Sequence, residues 1–252
     1  MSAGAAGSMR VWIEHTEQDV ARVRALVARP ELQQRIEGRR ADWAAQPDQI
    51  TETTLWNAMI ACLVTSQQRS GPGSLVETFL GQDPLPVSLA ACRLVDDVGT
   101  LVATALSAAR LRFGPKIGKS CEKNLALFSP PRVEAALVSL RGLLADHTPA
   151  RERATAQLFQ RSAVHALHGL GPKQSRNLLL NLGLMRHELP LDSRVTRWMR
   201  ENLSDANSQL VLSTAALNDE EYYSFVVDAV QRLCDDAEIL PSDFDAAAFY
   251  SD

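Results

Sequence analysis

The sequence has few cysteines, few lysines and no long apolar run, and each shortage excludes a class of protein. No two of its cysteines are close enough to form a Cys-x-x-Cys pair, so zinc and iron–sulfur sites are poorly supported. We expect reduced, mostly buried thiols in a cytosolic protein. No run approaches the roughly 18 apolar residues of a membrane span, and we recognise no secretory signal, so we expect no membrane association. The four cysteines are Cys62, Cys92, Cys121 and Cys234.

The charge balance excludes a strongly basic nucleic-acid coat, because the formal net charge of the 252 residues is −4. A local basic groove stays compatible with this balance. Only four of the 26 basic residues are lysines, so each lysine raises the question of whether its position needs a primary amine. Lys116, Lys119 and Lys123 follow a Gly-Pro turn, where they could face phosphates or lie on a solvated helix face. The fourth is Lys173.

Apolar residues recur at helical spacing almost throughout the chain. One stripe runs from Leu55 to Leu63 at positions i, i+3, i+4, i+7 and i+8, and the preceding Thr-Glu-Thr-Thr run can cap that helix. Pro131 suits the first turn of a later helix, and Asn218 with Glu221 fits a capping box. Alternating runs of strand type are scarce. We therefore predict an all-α protein of about a dozen helices with short connections.

The segment 165–200 carries the most informative pattern, HALHGLGPKQSRNLLLNLGLMRHELPLDSRVTRWMR. We predict that a short apolar helix ends at Leu167. Gly169 and Gly171 then form a tight turn, in which both glycines can take positive φ and leave backbone N–H groups uncovered. A second helix starts at the following proline and ends at Gly183. This pattern is typical of a helix-hairpin-helix, whose exposed amides suit a phosphate, so the hairpin can hold a DNA backbone without reading sequence.

Lys173 and Asp192 are the candidate chemical groups of this segment. Lys173 lies in the first turn of the second helix, where the positive end of the helix dipole disfavours an ammonium. It thereby favours the free amine that a Schiff-base nucleophile requires. Asp192 lies at the start of a further helix, so its carboxylate could face Lys173 across a cleft. An amine and a carboxylate are the minimal equipment for displacing a base at a sugar C1′ through an oxocarbenium-like state.

The motifs Gly-Leu-Gly-Pro-Lys and Pro-Leu-Asp-Ser-Arg-Val together resemble the signature of the helix-hairpin-helix DNA glycosylase superfamily, which contains endonuclease III and 8-oxoguanine DNA glycosylases. In that family, a lysine directly after the hairpin marks bifunctional members, which cut the glycosidic bond and then nick the strand. The resemblance implies that Lys173 is the nucleophile and Asp192 the catalytic aspartate. The run Leu-Leu-Asn-Leu-Gly at 179–183 looks most like the archaeal-type 8-oxoguanine branch. The segment 63–70 resembles the family segment whose glutamine fills the hole left by a flipped base.

The same resemblance implies a two-lobed all-α fold with the helix-hairpin-helix, at about 162–183, between the lobes. The first lobe would be a helical barrel over 51–183. The second would combine 1–50 with 184–252. The active site would lie between the two lobes.

The implied function is base-excision repair by a DNA glycosylase with AP lyase activity. Such an enzyme would remove an oxidised purine such as 8-oxoguanine from duplex DNA through a lysine Schiff base. Its partner would be double-stranded DNA with a damaged base, and we expect a monomer in the cytoplasm, associated with the nucleoid. The residues assigned to DNA contacts are Gln68, Gln67, Gly169, Leu170, Gly171, Ser175 and Arg194.

No metal or cofactor is required by this chemistry. Endonuclease III-like members carry four clustered cysteines near the C-terminus, where this chain has only Cys234, so we expect no iron–sulfur cluster. The resemblance leaves room for a structural monovalent cation at the hairpin. The acceptor that distinguishes 8-oxoguanine could be a backbone carbonyl, Gln67, or a residue of the run 244–252. Two alternatives stay open: a monofunctional glycosylase for another damaged or modified base, and a non-catalytic helix-hairpin-helix protein that binds DNA in repair.

Overall fold

A computed structural model describes residues 14–43, 46–66, 68–203 and 211–251 of the chain. Within these residues the protein is all-helical, which confirms the predicted class. Two short 3₁₀ turns, Pro47–Gln49 and Ala216–Asn218, accompany the α-helices. In chain order the α-helices are α1 (Glu17–Val27), α2 (Pro30–Asp42), α3 (Glu52–Val64), α4 (Leu75–Leu80), α5 (Leu89–Arg93), α6 (Val98–Ala108), α7 (Gly114–Leu125), α8 (Pro130–Ala145), α9 (Pro149–Arg161), α10 (Pro172–Asn181), α11 (Ser193–Asn202), α12 (Glu220–Asp236) and α13 (Pro241–Phe249).

Side-chain caps fix the starts of several helices. The hydroxyl of Thr51 accepts the backbone N–H of Thr54 at 3.2 Å, so the predicted cap of α3 is confirmed. The predicted cap of α12 is wrong by one residue. Asp219, and not Asn218, caps that helix by accepting the N–H of Tyr222 at 2.8 Å. The reason is that Asn218 ends the preceding 3₁₀ turn and is not free to start the helix.

One hydrophobic cluster extends from Ile50 to Met185 and is built by α3 to α10. Trp56 lies at its centre, where its ring meets Phe128 edge-on at 5.0 Å. The indole N–H donates to the carbonyl of Val87 at 2.9 Å, so this buried polar atom is satisfied. Trp56 is therefore a core residue, as its position on an apolar stripe predicts.

A second cluster combines α1 and α2 with the segment from Leu189 to Ala248. Within it, Trp198 packs edge-on against Phe244 with ring centroids 5.2 Å apart. All four cysteines are buried and free, in agreement with the sequence. The division of the chain into lobes at 51–183 and at 1–50 with 184–252 stays a prediction, because two side-chain clusters are not by themselves two folding units.

A contact from α10 joins the two clusters. In the first cluster, α10 packs against α3 and α9, and in the second, α2 packs against α13. Arg176 of α10 reaches across to Glu220 of α12. The N-terminal turn of α10 and the start of α11 thereby lie at the boundary between the clusters. In the described part of the chain, no helix has the length and apolar character to cross a membrane.

Candidate active site

The hairpin is longer than its sequence indicates. Helix α9 ends at Arg161, so the prediction of an apolar helix that ends at Leu167 is wrong, as is the predicted start of the motif near 162. The hydroxyl of Ser162 accepts the N–H groups of Val164 at 3.1 Å and His165 at 3.2 Å. Because these bonds to the serine hydroxyl replace bonds to helical carbonyls, the helix ends and the chain turns at Ser162.

The two hairpin glycines have different roles. Gly169 has a φ of 91°, and a Cβ at this position would lie 2.6 Å from Cδ2 of Leu63. Gly171 is extended, with a φ of −94°, so the prediction of positive φ at both glycines is wrong. It precedes α10 as its N-cap residue, and a Cβ there would meet no atom within 4 Å. The open space beside Gly171 lets a ligand approach the backbone closely.

Two predicted DNA contacts next to these glycines have buried side chains. Leu170 packs into the first hydrophobic cluster, so only its backbone can reach a ligand. Ser175 is fully buried, and its hydroxyl donates to the carbonyl of Pro172 at 2.9 Å. Neither side chain is therefore available at the protein surface. The spacing of Ser175 from the hairpin indicates proximity, but not which side of α10 it occupies.

Lys173 and Asp192 line one cavity of about 280 Å³ at the boundary of the two clusters. Lys173 is half-buried in the first turn of α10. Its amine forms no hydrogen bond or ion pair with another described residue, and it is therefore available to a ligand in the cavity. A wider groove of about 610 Å³, lined by Arg39, Asp42 and the end of α10, contains no lysine. We therefore take the smaller cavity as the candidate site.

Asp192 is held by the helix that it starts. One carboxylate oxygen, Oδ1, accepts the N–H groups of Arg194 and Val195, each at 2.9 Å. The other oxygen makes no hydrogen bond with a described residue. Capping thus fixes the orientation of the carboxylate and leaves Oδ2 free for chemistry.

Asp245 on α13 is a further acidic residue of the cavity, which the sequence alone does not single out. Its side chain is 3% exposed and pairs with Arg39 of α2 at 3.2 Å. Burial raises the pKa of Asp245 to about 7, with Arg39 acting against the rise and the nearby charge of Asp192 adding to it. In the sequence, the one feature that indicates a buried carboxylate here is the apolar run Ala-Ala-Ala-Phe directly after Asp245. Asp245 falls within the run 244–252, which the sequence analysis named as a source of a base acceptor.

Two aromatic rings at the C-terminal end of the described chain complete the cavity wall. Phe249 and Tyr250 meet edge-on with centroids 4.9 Å apart. The guanidinium of Arg194 stacks 4.1 Å from the ring centroid of Phe249 and donates to its carbonyl at 3.3 Å. The guanidinium of Arg35 lies 4.6 Å from the ring centroid of Tyr250. Arg194, predicted as a DNA contact, is thus engaged in supporting this wall.

The glutamines predicted to fill a vacated base position cannot both be located. Gln67 lies outside the described residues. Gln68 is described, and its amide nitrogen donates to the carbonyl of Val64 while its oxygen accepts the N–H of Arg112 at 3.0 Å. The side chain of Gln68 therefore connects the end of α3 to the loop before α7, and both ends of its amide are occupied.

The described residues contain no group of three or more His, Cys, Asp or Glu side chains placed to hold a metal ion. At the hairpin, the carbonyl of His168 accepts a hydrogen bond from the side-chain amide of Asn124 at 3.0 Å. A structural monovalent cation stays a prediction from resemblance.

Comparison with known proteins adds nothing to this geometry, since no family model, curated protein or solved structure matches the chain. The resemblance to helix-hairpin-helix glycosylases therefore stays one of short motifs.

Proposed function

We propose that the protein is a DNA glycosylase with AP lyase activity that excises an oxidised purine, with 8-oxoguanine as the first candidate. The observation that carries the proposal is the meeting of Lys173 and Asp192 in one cavity, with the amine unpaired among the described residues. Such a pair is the equipment that displacement of a base requires. Double-stranded DNA with a damaged base is the proposed substrate.

Lys173 is the proposed nucleophile. Its amine attacks C1′ of the damaged nucleotide, and the base leaves with the electrons of the glycosidic bond. Asp192 takes the proton that the amine must lose, and its charge stabilises the positive sugar in the transition state. Asp192 returns this proton to O4′ as the C1′–O4′ bond breaks, and opening of the sugar ring gives a protonated Schiff base. Loss of a proton from C2′ expels the 3′ phosphate, and this step cuts the strand.

The cavity wall supplies the groups for a flipped base. The target must leave the duplex to reach Lys173, at a cost of a few kcal/mol of unstacking. Phe249 and Tyr250 offer apolar ring atoms along the wall for contact with a base, and the carboxyl of Asp245 offers a buried hydrogen-bond partner for a base N–H. An oxidised guanine carries an N–H at N7 that guanine lacks, so a site built around an acceptor can reject guanine strongly. Arg39 supports this role by holding Asp245 in place.

The hairpin supports the proposal from the outside of the cavity. The open backbone at Gly171 leads directly into the first turn of α10, where uncovered N–H groups attract an anion. A phosphate held there would lie at the N-terminus of the helix that presents Lys173. Binding of the DNA backbone and positioning of the nucleophile would then depend on the same turn.

Borohydride trapping on duplexes with single lesions tests this function. We expect a covalent adduct on a duplex with 8-oxoguanine and none on an undamaged duplex. Lys173→Arg is the matched control, because arginine keeps the positive charge for DNA binding but cannot form the Schiff base. This variant should bind the duplex and lose all trapping. Base release without trapping by the wild-type chain would instead indicate a monofunctional glycosylase, and the lyase proposal would be wrong.

A further inference from the structure

Helix α7 lies directly beside the hairpin. The amide of Asn124 donates to the carbonyl of His168 at 3.0 Å and accepts its backbone N–H at 2.7 Å, so this buried side chain holds the hairpin backbone from both sides. One turn earlier, Ser120 lies against Gly169, and a Cβ on that glycine would be 3.2 Å from the serine Oγ. The residues of α7 next to Ser120 and Asn124 therefore flank the hairpin.

Three of the four lysines of the chain occupy that flank. Lys116, Lys119 and Lys123 are exposed, and their spacing of three and four residues places them on one side of α7. Lys119 and Lys123 directly precede Ser120 and Asn124 in sequence, so the lysine side adjoins the side that holds the hairpin.

The three lysines are not neutralised by the protein. None of them forms a hydrogen bond or ion pair with another described residue. The acidic residue among them, Glu122, follows Lys119 by three residues, but its carboxylate is directed toward α6, within 3.4 Å of the Cβ position of Gly99. In a chain with a formal net charge of −4, this leaves an uncompensated cluster of positive charge beside the hairpin.

We propose that Lys116, Lys119 and Lys123 form a second phosphate-binding surface, which extends the hairpin along the backbone of bound DNA. Seven residues of helix span about 10 Å, which matches roughly three phosphate steps of 3.4 Å along the axis of one strand. Lysine presents a compact charge on a flexible stem, which suits phosphate contacts that carry no sequence information. The surface contributes affinity for any duplex, damaged or not. It rests on the proposed function only in taking DNA as the ligand.

The salt dependence of binding to an undamaged duplex tests this surface without any chemistry. The logarithm of the binding constant is measured against the logarithm of the salt concentration for the full chain and for the triple variant Lys116→Gln, Lys119→Gln, Lys123→Gln. Each lost phosphate contact should reduce the slope by about 0.9, so we expect a reduction of roughly 2 to 3. Affinity at low salt should fall by at least tenfold. The exposed positions allow the variant to fold, which an unchanged thermal unfolding midpoint verifies.

Two single variants serve as controls. Arg29→Gln removes an exposed positive charge at the start of α2, and Glu122→Gln removes the negative charge that α7 directs toward α6. Neither variant should change the slope, because neither removes a phosphate contact. An unchanged slope in the triple variant overturns the proposal. The proposal is also overturned if Glu122→Gln increases the slope by as much as each lysine substitution reduces it. That result would indicate that binding depends on the net charge of the protein and not on direct phosphate contacts. Absence of base excision on every lesion, with the slopes as expected, would refute the glycosylase and leave this surface standing.

Discussion

The guanidinium of Arg176 forms two hydrogen bonds with the carboxylate of Glu220, at 2.7 and 2.6 Å, although 44 residues separate them in sequence. Both side chains are buried. A third buried group, Glu188, accepts from Nε of the same arginine at 2.9 Å. Since Arg176 lies three residues after Lys173 and Glu188 four residues before Asp192, this network joins both halves of the candidate site to α12.

We predict that Arg176→Ala destabilises the protein by about 3–5 kcal/mol, because the change removes the arginine that pairs with buried Glu220 and leaves buried Glu188 with Arg153 alone. Urea unfolding at pH 7 measures the loss. The control is Arg151→Ala, which breaks an exposed ion pair with Asp146 and should cost no more than about 1 kcal/mol. Equal effects of the two variants would contradict the importance of the buried network.

The hairpin glycines should respond differently to alanine. Gly169→Ala forces a side chain into a left-handed backbone and against Leu63, so we predict a loss of about 1–3 kcal/mol of folding free energy. Gly171→Ala meets neither obstacle and should leave the stability within about 0.5 kcal/mol of wild type. Its added methyl group should instead weaken duplex binding. Thermal unfolding and duplex titration of both variants separate the two effects, and comparable stability losses would show that the hairpin geometry is wrong.

Asp192 combines capping with the proposed chemistry, and the two roles can be separated. Asparagine is as good an N-cap as aspartate, so Asp192→Asn should change stability by less than about 1 kcal/mol. The neutral amide cannot accept the proton of Lys173, and single-turnover base excision should therefore fall by orders of magnitude. Asp192→Ala should lose both stability and activity. Near-wild-type excision by Asp192→Asn would restrict Asp192 to capping.

Burial of Asp245 and Glu152 should contribute a loss of stability as the pH rises from about 4 to 7, while burial of His147 and His187, which lowers the pKa of both imidazoles, contributes the opposite trend. Asp245 has a pKa raised to about 7 in the folded protein by burial, so the folded state keeps a proton that the unfolded chain has already released. Burial raises the pKa of Glu152 to about 7 in the same way, and its contribution has the same sign. Urea unfolding at pH 5, 6, 7 and 8 measures the trend.

Asp245→Asn should remove its own part of this pH dependence. The difference in unfolding free energy between wild type and Asp245→Asn should therefore change steadily through this window, in favour of the variant at higher pH. Glu152→Gln provides the comparison, since it removes the other contribution and leaves Asp245 in place. A difference between wild type and Asp245→Asn that is independent of pH would contradict the raised pKa.

Local patterns predicted the elements that carry the site. The apolar spacing of α3 and the proline and glycine that bound α10 predicted both helices. Asp192 could be assigned to a helix entry because capping depends on neighbouring residues alone. The boundary at Arg161 could not be predicted, since the turn at Ser162 competes with a helix of similar local propensity. Local sequence predicted the Lys173 and Asp192 pair only with the help of a family resemblance.

Features that depend on packing between distant segments were missed. Asp245 becomes part of the cavity only when α13 packs against α2, which places it beside Arg39, 206 residues away in sequence. The stacking of Arg194 on Phe249 likewise depends on the packing of α11 against α13. Sequence spacing shows that these residues are near the site but not which way their side chains point.

Peptide mapping of the borohydride-trapped complex tests the central claim most directly. A DNA adduct on Lys173 blocks tryptic cleavage there, so the account predicts a single modified peptide that spans 162–176, identified by mass spectrometry after nuclease digestion. The same borohydride treatment of Lys173→Arg with the damaged duplex should yield no adduct. An adduct on Lys116, Lys119, Lys123 or the N-terminal amine, with residues 162–176 unmodified, would contradict the assignment of Lys173 as the nucleophile.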